Sequence, residues 1–69
     1  MRVEMAEPDK PCPEGWCQVV FDDGAAPDAQ PRRRIIAVET EETIEARNVI
    51  KSIWKEAIVQ RVIQHKDAE

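Results

Sequence analysis

Hydrophobic positions along this chain fall into three blocks separated by turn-rich stretches. The first is WCQVVFD, residues 16–22. Period-two alternation puts Cys17, Val19 and Phe21 on one face and Trp16, Gln18 and Val20 on the other. Val19, Val20 and Phe21 favour a pleated surface, so the block reads as a strand, and Asp23-Gly24 ends it. The second block is RRRIIAV, residues 32–38. One face carries Arg34, Ile36 and Val38; the other carries Arg33, Ile35 and Ala37. The two strands are expected to pair as an antiparallel hairpin over 16–38, with residues 24–31 as a long loop at its tip.

The third block is longer. From Thr40 to His65 there is no glycine and no proline. Thr40 can cap a helix whose first turn carries Glu41 and Glu42 at the positive end of the dipole. On a helical wheel Ala46, Ile50, Ile53, Trp54, Ala57 and Ile58 form one stripe, able to cover the hairpin. Glu45, Asn48, Ser52, Lys55 and Glu56 fall opposite. Val59 and Ile63 project into that polar side, and Val62 lies near its margin. A helix that is apolar nearly all round is buried on more than one side. Two short strands cannot cover it twice, so the pattern predicts a second chain against Ile58, Val59, Val62 and Ile63.

Ahead of these blocks, MRVEM permits a short strand. Residues 6–15 hold three prolines and a glycine and read as a loop or extended arm. The expected fold is therefore one small α+β domain over residues 1–69. It has a Pro-rich arm at 1–15, a hairpin of two strands (three with the N-terminal segment) at 16–38, one long C-terminal helix at 40–65 and a frayed tail at 66–69. The expected assembly is a homodimer.

Size sharpens this. A chain of 69 residues buries only roughly 60% of the surface it exposes when unfolded. Its core alone supplies about 3–5 kcal/mol, so a staple is expected. The two cysteines, Cys12 and Cys17, are one candidate. However, MRVEMAEPDK has no apolar core of signal-peptide length, which points to the reducing cytoplasm, where disulfides are rare. Association remains. No apolar run is long enough to cross a bilayer, so no membrane partner is expected. The net charge of −4 argues against nucleic acid as the main partner, because duplex binding draws heavily on phosphate contacts.

Candidate chemistry is sparse. Cys12, Cys17 and His65 fall short of the four ligands that close a structural zinc site, and no metal or other cofactor is expected. His65 stands close to Asp67 and Glu69 at the end of the chain, where fraying and solvation are expected. Two glycines in all leave no phosphate-binding loop. Asp22-Asp23 and Glu41-Glu42 read as a turn and a helix start, not as paired catalytic carboxylates. The expectation is that the chain is not an enzyme.

Arg32, Arg33 and Arg34 form the one basic cluster. A β-ribbon bearing arginines can enter a DNA groove; the same side chains can instead pair with Asp22, Asp23 or Asp28 across the hairpin. Trp54 lies on the apolar stripe and reads as core. Trp16 starts a strand beside the Pro-rich arm and is either a lid on the core or a binding anchor. Pro13-Glu14-Gly15-Trp16 resembles the P-x-G-W segment of the small MbtH-like proteins. The upstream Ser-x-Trp-Pro pattern and the Arg-Pro after the helical Trp are absent here, so no family membership follows.

These features together predict a small acidic, non-enzymatic protein-binding module that regulates or inhibits a larger protein. Phages and mobile elements use proteins of this size and charge against host machinery. The alternative is a dimeric DNA-binding regulator that uses the arginine-bearing strand.

Overall fold

The computed structural model describes residues 1–7, 10–24 and 32–65. Its elements are β1 (Val3–Met5), β2 (Cys17–Asp22), β3 (Arg33–Val38), α1 (Thr43–Ile53) and β4 (Ile58–Gln64). The four strands form one antiparallel sheet in the order β1-β3-β2-β4. The hairpin forms as its pattern predicts, with Cys17 opposite Val38 and Asp22 opposite Arg33. β1 joins the outer edge of β3, with Val3 opposite Val38 and Met5 opposite Ile36. The tip of the hairpin, at 25–31, and the tail, at 66–69, lie outside the described residues.

The long C-terminal helix does not form. The helix starts at Thr43, with Glu42 as its N-cap and no side-chain cap. Thr40 instead accepts a hydrogen bond on Oγ1 from the Glu42 backbone N–H, 3.1 Å away. At the other end Trp54 is already extended (φ −114, ψ 91). A turn follows, closed by Ala57 N–H donating to the Trp54 carbonyl at 2.9 Å. The chain then returns as β4, antiparallel to β2.

Two physical reasons favour the strand. Ile58, Val59, Val62 and Ile63 are all β-branched, which costs rotamer freedom in a helix and suits a pleated surface. A hairpin without β4 would also leave one edge of β2 with unmade backbone bonds. Those residues are buried from Cys17 through Phe21, where an unpaired peptide group is expensive.

The core lies between the helix and one face of the sheet. Cys17, Val19 and Phe21 of β2, Ile36 and Val38 of β3, and Ala46 and Ile50 of α1 form its buried centre. These are the faces the alternation assigns. Val3, Val49, Trp54, Ala57, Val59 and Val62 pack around it, and Trp54 meets Phe21 with ring centroids 5.1 Å apart. Ile53, expected on the covering stripe, is instead 53% exposed at the helix end. Val59 and Val62 face the helix together because a bulge shifts the β4 register. Phe21 is opposite Val59 and Val20 is opposite Arg61, so Gln60 is the extra residue.

The other face of the sheet is met by residues 10–16, which precede β2. Gln18 points there and is buried. Its amide donates to the Lys10 carbonyl at 2.8 Å, which satisfies a polar group that burial would otherwise penalise. Further along, the Cys12 thiol donates toward the Ile63 carbonyl at 3.8 Å. The Pro-rich segment is therefore a strap pinned to β2 and β4, not a loose arm.

Two glycines adopt left-handed backbone, Gly15 (φ 84) and Gly24 (φ 67). They differ in surroundings. A Cβ at Gly15 would meet nothing within 4 Å, whereas one at Gly24 would lie 2.6 Å from Glu56 Cβ and 2.8 Å from the Glu56 carbonyl carbon. Gly24 is thus where the end of β2 presses on the helix-to-β4 turn. Gly15→Ala should cost only the left-handed strain of roughly 1–2 kcal/mol. Gly24→Ala should cost clearly more, because the clashing atoms belong to backbone and to the root of a side chain. Urea midpoints of the two variants measure the difference; equal losses would contradict the close packing at Gly24.

Candidate functional site

A recess of about 290 Å³ opens at one end of the sheet, lined by Glu14, Gly15, Trp16, Glu41, Gln64 and His65. Three segments build it. The strap supplies a turn from Pro13 to Trp16, closed by Trp16 N–H donating to the Pro13 carbonyl at 3.1 Å. Gly15 at its third position has the positive φ that this kind of turn needs. The link between β3 and α1 supplies Glu41, and the end of β4 supplies Gln64 and His65.

Hydrogen bonds tie these segments together. The Gln64 side-chain amide donates to the Glu41 carbonyl at 3.1 Å. His65 Nδ1 lies 2.7 Å from the Cys12 carbonyl oxygen. A carbonyl only accepts, so Nδ1 carries the proton and a neutral ring has Nε2 as its acceptor. The buried Cys12 thiol also reaches the Trp16 carbonyl at 3.4 Å. His65 is therefore half-buried and fixed by the strap, not frayed and solvated as its place near the chain end suggests.

Trp16 is half-buried. The Arg2 guanidinium lies 5.9 Å from its ring centroid and also pairs with Glu4 at 2.8 Å. Among the described residues, and apart from Arg2, the charged side chains near the mouth are carboxylates. From Glu39 to Glu45 the chain carries Glu39, Glu41, Glu42 and Glu45 and no cation. Glu14, Glu39, Glu41 and Glu42 are all exposed. An aromatic wall beside carboxylates suits a cationic side chain, which gains from both the ring face and the charge.

The arginine cluster stands at the opposite end. Cys17 pairs with Val38 and Asp22 with Arg33, so the two ends are roughly 17 Å apart along the strands. Strand alternation also splits the cluster. Arg33 points to the strap face, where its Nε lies 3.6 Å from Asp22 Oδ1. Arg34 points to the helix face, where its Nε donates to Asp23 Oδ2 at 3.2 Å and its guanidinium lies 5.9 Å from the Trp54 ring. Arg32 gives its backbone N–H to Asp23 Oδ1 at 3.2 Å. Arg33 and Arg34 thus pair with Asp22 and Asp23 across the hairpin, while Arg32 meets Asp23 through its backbone N–H; Asp28 lies outside the described residues.

The four residues expected on a helical interface all fall on β4, and they divide between its two faces. Val59 and Val62 pack toward the core, Ile63 is half-buried opposite Gln18, and Ile58 is 58% exposed. Sequence reasoning missed Glu14, Glu41, Gln64 and His65 as neighbours of Trp16. The turn signal in Pro13-Glu14-Gly15-Trp16 was the one local clue, since it fixes where Glu14 and Trp16 stand. Compared with protein-family models, with curated protein sequences and with solved structures, the chain matches none of them.

Asp23 binds its proton less readily than an ordinary aspartate, whose value is 3.8. The Arg32 backbone N–H is the main cause, with the hydrogen bond and charge of Arg34 adding to it. A carboxylate with a lowered folded-state value contributes stability above its unfolded value and loses it as pH falls through the folded one. Wild type should therefore lose stability as pH drops below about 4. Asp23→Asn should be less stable at neutral pH and should show a shallower loss over that acid range. Urea titrations from neutral pH downward check this; parallel profiles would mean that the Asp23 pairing contributes nothing.

Proposed function

We propose that this chain is a small acidic, non-enzymatic protein-binding module that regulates or inhibits a larger protein. Its contact surface is the Trp16 recess with the two carboxylates that line it, Glu14 and Glu41, and the exposed Glu39 and Glu42 that neighbour Glu41 in the chain. The observation that carries this reading is the meeting of a half-buried tryptophan and exposed carboxylates around one concavity. Tryptophan is among the residue types most enriched in binding hot spots, and a partner closing over it would complete its desolvation. Surrounding charges of one sign steer a partner of opposite sign and select against others. The partner surface that fits is basic, with a lysine or arginine side chain entering the recess. Many nucleic-acid-binding proteins present such a surface, so a phage or mobile-element inhibitor that occupies a host protein's phosphate-binding face fits this chemistry.

The DNA-binding alternative rests on Arg32, Arg33 and Arg34. Ion pairs with Asp22 and Asp23 lessen the availability of Arg33 and Arg34 to phosphates, and strand alternation sends these two to opposite faces. Little or no retardation of duplex DNA is expected at low salt. Salt-dependent retardation that is abolished by changing all three arginines to alanine would favour the alternative instead.

The direct test is capture of a stoichiometric partner from host lysate by wild type and by two variants. Trp16→Ala should weaken the captured complex by at least about 2 kcal/mol, in the range of a hot spot. Glu14→Lys/Glu41→Lys should abolish capture, and rising salt should weaken the wild-type complex. Circular dichroism checks that each variant is folded. A partner held equally well by both folded variants would place the contact elsewhere.

A further inference from the structure

We propose that the recess holds the guanidinium of an arginine side chain from the protein partner, with neutral His65 as a hydrogen-bond acceptor that is lost in acid. The proposal rests on the recess being the contact surface, and it names what enters.

The acceptors come from three segments. Glu14 of the strap, Glu41 of the β3–α1 link and His65 at the end of β4 all line the recess. Glu14 and Glu41 are exposed. His65 is held by the strap: Nδ1 lies 2.7 Å from the Cys12 carbonyl oxygen, so Nδ1 keeps the proton and the neutral ring offers the lone pair of Nε2. Among the described residues none bonds Nε2. No buried side-chain nitrogen or oxygen among them lacks a partner, so Nε2 is reachable from outside. A hydrogen bond on one ring nitrogen fixes the role of the other, which makes Nε2 a prepared acceptor.

The spread of these groups selects the cation. Among the described residues no three His, Cys, Asp or Glu side chains stand close enough to hold a metal ion. Acceptors that do not converge on a point suit a cation with width. A guanidinium is planar, delocalised and carries five donors, whereas a lysine ammonium is a compact and strongly hydrated point charge. The flat wall of the recess is the half-buried indole of Trp16, and guanidinium groups stack on such faces. The chain already brings one to this ring: the Arg2 guanidinium lies 5.9 Å from the Trp16 centroid, although Arg2 does not line the recess. A volume of about 290 Å³ is at the lower end for small-molecule sites, which suits a side-chain head group.

His65 makes the site sensitive to pH. The charged or titratable groups set around it are Glu14 and the Cys12 thiol of the strap, Glu41 of the link, and Arg2 beside the indole. β4 adds the neutral Gln64, and residues 66–69 lie outside the described residues. A protonated imidazole has two donors, no acceptor and a positive charge. It therefore repels the guanidinium that its neutral form attracts. Glutamate side chains ordinarily titrate at about pH 4.3, below the range in which histidine changes charge.

The test uses the intact chain and two probes, N-acetyl-arginine amide and N-acetyl-lysine amide, at matched concentrations. Nuclear magnetic resonance follows the Trp16 indole and the His65 ring, with Trp54 as the internal control. The arginine probe should shift Trp16 and leave Trp54 in place, and the lysine probe should bind at least about fivefold more weakly. Between about pH 7.5 and 5.5 the arginine affinity should fall about tenfold. Linkage then requires the His65 titration midpoint to drop by about one pH unit when the probe saturates. His65→Gln, if folded by circular dichroism, should bind with a flat profile over that range; should it fail to fold, the wild-type midpoint decides. Any of four results would overturn the proposal: no shift at Trp16 with either probe, equal affinity for both, a His65 midpoint unmoved by the arginine probe, or a folded His65→Gln with the wild-type pH profile. Capture from lysate that depends on Trp16 would still support the recess as contact surface after such a failure, so the two readings fail separately.

Discussion

The backbone of Gln18 and Val20 points away from β3, and the rest of the structure depends on what meets it. β2 is buried from Cys17 to Phe21, so its peptide groups have no access to bulk water. One edge bonds to β3 through the hairpin. The other needs a strand, and the only stretch of suitable length and β-branched character lies at residues 58–64. Filling that edge requires β4 to run parallel to β3 with β2 between them, which follows from both strands being antiparallel to β2. A connection between parallel strands must cross a face of the sheet, and α1 is that crossing. The helix is short because its task is to span β2 and β4 and cover Val19, Phe21 and Val59. Ending at Ile53 leaves enough chain to turn and return.

This explains which parts of the fold were legible in the sequence. β2 and β3 were legible because alternation is a local signal, and Cys17, Val19, Phe21, Ile36 and Val38 do face the core together. β4 was hidden for two reasons. No glycine or proline separates it from the helix; the break is made by Trp54, Lys55 and Glu56, whose types carry no stop signal. The bulge at Gln60 then disrupts the period of two, since Val59 and Val62 share a face although three positions apart. Three-residue spacing is also helical spacing. The better clue was the excess itself: a run apolar on every side of a wheel, made of Ile and Val, is a strand pattern as much as a doubly buried helix.

The recess was less legible than the fold because its parts come from segments far apart in the chain. Trp16 and His65 are separated by 49 positions and meet only because β4 lies beside β2. Its chemistry also contrasts with that of the opposite end. At the hairpin end, cations and anions share adjacent strands, and Arg33 and Arg34 find Asp22 and Asp23 at 3.6 and 3.2 Å. At the recess end, Glu39, Glu41, Glu42 and Glu45 follow one another without a cation between them. Exposed ion pairs contribute little to stability, so the contrast bears on what each end offers a partner. One end is largely self-neutralised; the other sets several exposed carboxylates against the single guanidinium of Arg2 beside the indole.

A single helix over a four-stranded sheet leaves half the sheet surface to be covered by something else. The strap does this with few apolar side chains. It uses the Lys10 carbonyl to hold Gln18, the Cys12 thiol to reach Ile63, and the Cys12 carbonyl to hold His65. Its prolines shorten the list of conformations lost on ordering, which lowers the entropic cost of laying it across the sheet. The same contacts fix Trp16, since the turn that positions the indole is the last part of the strap before β2. Covering the second face and shaping the recess are therefore one structural task, and a change that loosens the strap at Gln18 or His65 acts on both.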